Sequence, residues 1–281
     1  MISINEYTTD DLLNRQPFID QVKNIIALLS EQNRSTCFAI NGKWGVGKTY
    51  VLNKLEKQLK VIQSEDTNTD KYMLFHYNCW QYDYYEEPLV AIVATMLDTI
   101  DEDENLISSD SKSKIKGLLK AVGSAFLINA NNAIEKKTGF NPQELVDIVT
   151  DAGKYSAEQI EEDHKYDSNF IFKSTLKKLQ ETLKTLSKDK TIIFIVDELD
   201  RCLPEYAVKV LERLHHVFED ISNVQVFLSI DKGQLEHIIK NTFGKETKTE
   251  KYLAKFINFY LNLDEGSLDE ALFDNKFSYY T

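Results

Sequence analysis

A glycine-rich segment near the start of the chain has the residue types and spacing of a phosphate-binding loop. It follows the pattern Gly-x-x-x-x-Gly-Lys-Thr from Gly42 to Thr49. Glycines let the backbone turn tightly, so that several N–H groups point at one anion. Lys48 is long enough to reach β- and γ-phosphate oxygens, and the Thr49 hydroxyl is a ligand for Mg²⁺. The pattern predicts a nucleoside triphosphate site formed by Gly42, Trp44, Gly45, Val46, Gly47, Lys48, Thr49 and Tyr50.

The segments on either side of this loop agree with that prediction. Residues 36–40 form an apolar run typical of a buried strand, and residues 49–59 have the apolar spacing of a helix. The positive N-terminal end of such a helix would face the same anion. The simpler alternative is a glycine-rich turn between a strand and a helix.

A second chemically informative pattern follows another apolar strand much later in the chain. Residues 191–196 read Thr-Ile-Ile-Phe-Ile-Val, and Asp197 and Glu198 come directly after them. A buried strand that ends in Asp-Glu is a Walker B pattern. Asp197 would organise Mg²⁺ beside Thr49, and Glu198 would orient and deprotonate the attacking water. The alternative is an acidic helix cap, which can follow any strand.

A glutamate beside the Walker B aspartate is typical of P-loop proteins with an additional strand between the P-loop strand and the Walker B strand. Residues 224–230 are the candidate for this strand. Its end would face the γ-phosphate, where Ser229 or Asp231 would act as a polar sensor. The alternative for Asp231 is an ordinary turn residue at a strand end.

Arginine often stabilises the transition state of phosphoryl transfer. The chain has only four arginines, Arg15, Arg34, Arg201 and Arg213. Arg201 directly follows the Walker B segment and is the candidate catalytic arginine, while Arg213 lies on the next predicted helix. Either would reach the nucleotide of a neighbouring subunit, although a surface ion pair is the alternative for both. Arg15 precedes the P-loop by about one helix and could line the base pocket.

Composition limits the class of protein. The 281 residues carry a formal net charge of −12, which argues against binding nucleic acid nonspecifically. The three cysteines are far apart without metal spacing, as expected in a reducing compartment. No signal peptide pattern begins the chain. The best membrane candidate, residues 117–130, is too short to span a bilayer, so we expect a soluble cytoplasmic protein.

The order of predicted elements indicates one α/β domain over residues 1–281. From residue 101 to 190 the pattern is helical without a convincing strand, which predicts a helical insertion between the two Walker motifs. Residues 264–281 would be the start of a truncated C-terminal region. The other predicted elements are helix 8–33, strand 36–40, helix 49–59, strand 72–78, helix 88–100, strand 191–196, helix 204–218, strand 224–230, helices 233–242 and 250–257, and strand 259–263.

Several segments, in the same order along the chain, resemble the KAP family of P-loop NTPases. The resemblance runs from about residue 12 to residue 263. The matching segments are residues 42–45 with a Trp in the loop, residues 75–82 (Phe-His-Tyr-Asn-Cys-Trp-Gln-Tyr), residues 197–202 (Asp-Glu-Leu-Asp-Arg-Cys), residues 230–232 and residues 252–257.

The resemblance implies a P-loop ATPase of the additional-strand class, with a mostly parallel sheet flanked by helices and an insertion between Walker A and Walker B. It implies ATP rather than GTP, together with Mg²⁺. In many relatives the insertion carries transmembrane helices, which this sequence lacks. Bacterial relatives include phage-exclusion proteins, and antiphage defence is therefore the biological setting that the resemblance implies.

Two functional hypotheses follow. The first is an Mg²⁺-dependent ATPase that couples hydrolysis to a conformational or assembly change, with Lys48, Glu198 and Arg201 as catalytic residues. The second is a nucleotide-gated interaction module with little turnover, whose helical insertion would dock a partner protein or another copy of the chain. A DNA-dependent motor would need a basic channel, which the charge does not indicate.

Overall fold

The computed structural model of the chain describes most of the predicted α/β core. The described residues are 11, 13–62, 70–85, 87–102, 112–113, 116–117, 168–188 and 190–264. Most of the predicted insertion (101–190), most of the predicted C-terminal region (264–281) and residues 8–10 and 12 of the helix predicted at 8–33 lie outside the described residues.

The described strands form one parallel sheet in the order β2–β3–β4–β1–β5. They are β1 (Thr36–Asn41), β2 (Tyr72–Asn78), β3 (Thr191–Asp197), β4 (Val224–Ile230) and β5 (Phe259–Asn262). Strand β4 lies between the P-loop strand β1 and the Walker B strand β3. The predicted additional strand is therefore confirmed.

Helices cover both faces of this sheet. Those with defined bounds are α1 (Gln16–Glu31), α2 (Lys48–Lys60), α3 (Pro88–Glu102), α4 (Ser168–Leu186), α5 (Pro204–Phe218), α6 (Lys232–Phe243) and α7 (Thr249–Leu253). Two single 3₁₀ turns, Trp80–Tyr82 and Leu199–Arg201, follow β2 and β3. A proline in the first turn of α1 and of α5 suits these helix starts, because proline lacks the N–H that would be unpaired there.

Alternation of side chains along the strands creates two hydrophobic cores, one on each face of the sheet. Phe38, Ile195 and Phe227 point to the face that α1 and α2 cover. Phe194 and Leu228 point to the opposite face, which α3, α5 and α6 cover. Two of the three interior strands, β3 and β4, are buried along their full length, which explains their nearly continuous apolar sequences.

Because the strands are parallel, their carboxyl ends meet at one edge of the sheet. Asn78 pairs with Asp197 at the ends of β2 and β3, and Asn41 pairs with Ile230 at the ends of β1 and β4. The P-loop follows β1 at this edge. The edge therefore gathers every polar residue that the sequence singled out at a strand end.

Most predicted elements match the structure to within one or two residues, and two differ more. The helix predicted at 250–257 is a shorter helix, α7, because Ala254 to Phe256 form a turn before β5 begins. The helix predicted at 8–33 begins at Gln16, where the Asp11 carboxylate accepts hydrogen bonds from the backbone N–H groups of Arg15 and Gln16. Within the described residues, none of the helices has both the length and the apolar character needed to cross a bilayer.

The burial pattern of α1 predicts a contrast between two neighbouring positions. Ile26 is fully buried against the sheet, whereas Leu28 is 54% exposed on the same helix. We expect Ile26→Ala to lower the free energy of unfolding by about 2–5 kcal/mol, because it leaves a cavity in the core. Leu28→Ala is the matched control and should change it by about 0.5 kcal/mol or less. Urea denaturation measures both, and equal losses would contradict the placement of α1.

Candidate functional site

The loop after β1 has the backbone conformation that an anion-binding loop requires. Gly45 and Gly47 have φ of 82° and 93°, in the region that residues with a Cβ rarely adopt. A Cβ added to Gly42 would lie 2.7 Å from Val46 Cγ1, so this position also needs glycine. Gly47 is the N-cap of α2 and has no side chain to cap the helix, so the first N–H groups of α2 remain open toward an anion.

Lys48 folds back over this loop. Its ammonium group donates to the carbonyl oxygens of Gly42 at 2.6 Å and Lys43 at 3.2 Å. Burial lowers the pKa of Lys48 below its usual value, and the carboxylates of Asp200, Asp231 and Asp197 oppose this shift. A bound phosphate would favour the charged ammonium in the same way. Lys48 therefore places a positive charge beside the loop, where a bound anion would pair with it.

Thr49 and Asp197 bring the two predicted motifs into contact. The Thr49 hydroxyl donates a 3.0 Å hydrogen bond to Asp197 Oδ2. Asp197 is only 2% exposed, and its other oxygen accepts the backbone N–H of Glu198 at 2.9 Å. A hydroxyl beside a carboxylate at a phosphate-binding loop is a donor set that suits Mg²⁺, which prefers oxygen ligands. These residues therefore fit the metal that the sequence predicted.

The Glu198 carboxylate is held by partners on both oxygens. Asn78 Nδ2 donates to Glu198 Oε2 at 3.1 Å, and Arg201 Nη1 lies 2.6 Å from Glu198 Oε1. The residue has a left-handed backbone with φ of 59°, which is uncommon outside glycine. The side chain predicted to activate water is thus restrained by two neighbours of the same chain.

Trp44 connects the P-loop to the segment after β3. Its indole Nε1 donates to Asp200 Oδ2 at 2.6 Å, although the ring itself is 55% exposed. Asp200 is buried, so the indole satisfies a carboxylate that has little access to water. Through this hydrogen bond the loop residue Trp44 contacts the segment that follows the Walker B strand.

The two candidate sensors occupy different environments. Ser229 is fully buried near the end of β4, and its hydroxyl has no hydrogen-bond partner among the described residues. It pairs with Ile40 of the P-loop strand and shares the face of Phe227. Asp231 instead caps α6, where its Oδ1 accepts the N–H groups of Gly233 and Gln234. An unpaired buried hydroxyl is costly and is often found at a ligand site, which favours Ser229 of the two.

The arginines differ in their surroundings. Arg201 is partly exposed and stacks its guanidinium over the Trp80 ring at 5.7 Å, in addition to its contact with Glu198. Arg213 forms a bidentate pair with Glu87, which directly precedes α3, with distances of 2.8 and 3.0 Å. Arg15 is buried beside the P-loop and contacts the Val46 carbonyl oxygen.

The two remaining residues of the predicted loop site, Val46 and Tyr50, have different environments. Val46 is buried in the core shared with α1 and α2. Tyr50 lies on the first turn of α2, with its ring under the Lys54 ammonium at 5.6 Å. Tyr50 is 36% exposed, so its ring is accessible near the loop.

Two residues of this site were not predicted as site residues. Asn78 contacts Glu198, and Asp200 contacts Trp44. The sequence contains a feature that points to Asn78, because this polar residue ends β2, the strand that pairs with the Walker B strand. Asp200 had a weaker signal, since an aspartate just after a Walker B pair also suits a solvent-exposed turn.

Comparisons with known proteins identify one family. The model of the KAP family P-loop domain matches residues 15–273. A comparison of structures found the Aeropyrum pernix ORC2 protein, solved as ADPNP-ADP complexes, with 12% sequence identity and a TM-score of 0.42. That match covers 89% of this chain and 47% of the other, so the chain spans about half the length of that protein. A search of curated proteins found no match.

The Trp44–Asp200 contact generates a prediction about stability. We expect Trp44→Phe to lower the free energy of unfolding by about 1–2 kcal/mol, because it removes the indole donor from a buried carboxylate. Trp80→Phe is the matched control. Trp80 is equally exposed, at 54% against 55%, but its contact with Arg201 needs only an aromatic ring. The control should cost less than about 0.5 kcal/mol in urea denaturation. Equal losses would contradict a role for the hydrogen bond.

Proposed function

Because the chain belongs to the KAP family of P-loop domains, we propose that it binds ATP with Mg²⁺ and hydrolyses it to drive a conformational or assembly change. The observation that carries this proposal is the meeting of the two motifs. The loop of β1 and the end of β3 come together through Thr49 and Asp197, and Glu198 follows directly. Binding groups and a candidate general base thus share one edge of the sheet.

Each part of the proposed site has a physical role. The N–H groups of the P-loop and of the first turn of α2 would bind the phosphates, and Lys48 would exchange its carbonyl contacts for β- and γ-phosphate oxygens. Thr49 would hold Mg²⁺ directly, and Asp197 would orient its water ligands. When bound, the metal would neutralise charge on the transferred phosphoryl group. Ser229 would contact the γ-phosphate.

Hydrolysis requires Glu198 to accept a proton from water. Each Glu198 oxygen has one partner, Asn78 or Arg201, and exchange of one of these contacts would leave the carboxylate free to turn toward water. We infer that the described conformation is a resting one and that release of Glu198 is part of the catalytic cycle. Arg201 would then be free to stabilise charge on a nucleotide, in its own chain or in a neighbouring one.

One observation favours the second hypothesis, a nucleotide-gated interaction module. Both Glu198 oxygens are occupied, and Arg201, the candidate catalytic arginine, is one of the two partners. A chain in this state would bind ATP but turn it over slowly until a partner or another copy displaced Arg201. Antiphage defence is the setting in which we propose to look for such a partner, because the sequence resembles phage-exclusion proteins.

The roles of Lys48 and Glu198 can be separated by mutation. We expect Glu198→Gln to bind ATP normally but to hydrolyse it at least about 100-fold more slowly, because a general base is lost and no binding group changes. Lys48→Ala should instead weaken ATP binding by about 10-fold or more, because a charged phosphate contact is lost. Isothermal titration and phosphate release measure the two effects. Hydrolysis by Glu198→Gln at the wild-type rate would reject the assigned base.

The restraint on Glu198 gives a further prediction. Asn78→Ala removes the hydrogen bond to Oε2 and leaves the Arg201 pair in place. If the described state is a resting one, basal turnover should rise by up to about fivefold, as expected for loss of a bond worth about 1 kcal/mol. Gln81→Ala, a change at a neighbouring exposed side chain, is the control. A fall in turnover with Asn78→Ala would mean that Asn78 positions Glu198 for catalysis and does not restrain it.

A further inference from the structure

Arg15 connects the P-loop to the chain segment that follows β5. One guanidinium nitrogen, Nη2, donates to the Val46 carbonyl oxygen at 2.8 Å, and the other, Nη1, donates to the Asp264 carbonyl oxygen at 2.8 Å. The side chain is only 5% exposed. A single buried cation therefore holds two backbone carbonyls from distant parts of the sequence.

The contact with Val46 affects the phosphate site directly. Val46 lies between Gly45 and Gly47, which have positive φ values. In a trans peptide the carbonyl and the N–H of the next residue point in opposite directions. By holding the Val46 oxygen on one side, Arg15 aims the Gly47 N–H to the other side, where the phosphates would bind.

The segment after β5 packs against the same loop at its other end. The Leu263 N–H donates to the Asn41 carbonyl oxygen at 2.8 Å, directly before the loop begins. The Leu263 carbonyl oxygen lies 3.2 Å from the position of a Cβ built on Gly42. Residues 263 and 264 thus touch the first residues of the loop and, through Arg15, its last turn.

The position of Arg15 is fixed, but its hydrogen bonding is incomplete. The Asp11 carboxylate accepts the Arg15 N–H at 2.7 Å, and Lys54 of α2 lies 3.7 Å from the same carboxylate. The Arg15 Nε is buried without a partner among the described residues. Stability alone would not favour a buried guanidinium with an unpaired donor, because desolvation of such a group is costly.

We propose that Arg15 is a positioning residue that couples nucleotide binding at the P-loop to the chain segment after β5. The inference rests on the proposed function, because it assumes a nucleotide at this loop. Nucleotide would hold the Gly47 N–H, and with it the Val46 carbonyl, in the orientation that Arg15 requires. Arg15 would in turn hold the Asp264 carbonyl and strengthen the neighbouring Leu263–Asn41 hydrogen bond.

Coupling of this kind is reciprocal. If contact with residues 263 and 264 raises affinity for nucleotide by some factor, then nucleotide must stabilise that contact by the same factor. The chain leaves the sheet after β5, at Asp264. A conformational change caused by nucleotide binding would therefore reach the rest of the chain through residue 264.

The test compares Arg15→Lys with Arg34→Lys in the full chain. Lysine keeps the charge but is a compact donor and cannot reproduce the two-carbonyl geometry of the guanidinium. Arg34 is exposed after α1 and serves as the matched control. Two quantities are measured with Mg²⁺ and a nonhydrolysable ATP analogue, namely the Kd and the amide hydrogen exchange of peptides that contain Leu263.

In the wild type and in Arg34→Lys, the analogue should slow exchange at Leu263 by about fivefold or more. Arg15→Lys should bind the analogue about 10-fold more weakly and, at saturation, should show no such slowing. Two results would overturn the coupling and leave the proposed function intact. One is an unchanged exchange rate at Leu263 when the wild type binds the analogue, and the other is full protection of Leu263 in Arg15→Lys saturated with the analogue. No binding by the wild type would overturn the proposed function as well.

A second variant keeps the test decisive if Arg15→Lys does not fold. Asp264→Gly leaves every buried side chain intact and loosens only the backbone that presents the accepting carbonyl. We expect it to weaken binding about twofold to fivefold and to reduce the protection at Leu263. Wild-type affinity and protection in this variant would contradict the coupling.

Discussion

The hydrogen bond from the Thr49 hydroxyl to the Asp197 carboxylate is the contact on which the rest of the site depends. It joins residues 148 positions apart, which meet because the P-loop strand and the Walker B strand run parallel in one sheet. Strand β4 lies between them, so their ends are separated by two strand spacings, roughly 10 Å. That distance leaves room for phosphates and a metal above β4, with the unpaired Ser229 hydroxyl near the end of that strand.

Around this contact, the loop is supported from three directions by groups that do not themselves need to touch a ligand. Trp44 ties the loop to the buried Asp200, Arg15 holds the last turn, and Leu263 packs at its beginning. The catalytic candidate Glu198 is also held, by Asn78 and Arg201. The backbone of the proposed phosphate-binding loop is thus supported, while the proposed general base contacts two other side chains. We propose that this difference separates binding from turnover.

Much of this arrangement could be predicted from the sequence. Apolar runs that end in Gly, Asp or Ser identified the strands, since a parallel sheet buries strands on both faces and leaves function to their carboxyl ends. The contacts of Trp44 with Asp200, of Glu198 with Asn78, and of Arg15 with Val46 and Asp264 could not be predicted in the same way. They join residues that are 31 to 249 positions apart, so local spacing carries no information about them. Periodicity likewise extended α7 by a turn, because the residues that close the chain into β5 are themselves apolar.

The most direct test of the central claim is the Mg²⁺ dependence of ATP binding by the purified chain, compared with Asp197→Asn. If Thr49 and Asp197 form one metal site with the phosphates, ATP affinity of the wild type should rise by about tenfold or more when Mg²⁺ is added, and Asp197→Asn should lose most of that gain. An ATP affinity of the wild type that does not change with Mg²⁺ would contradict the account, because the two motifs would then meet without forming the site.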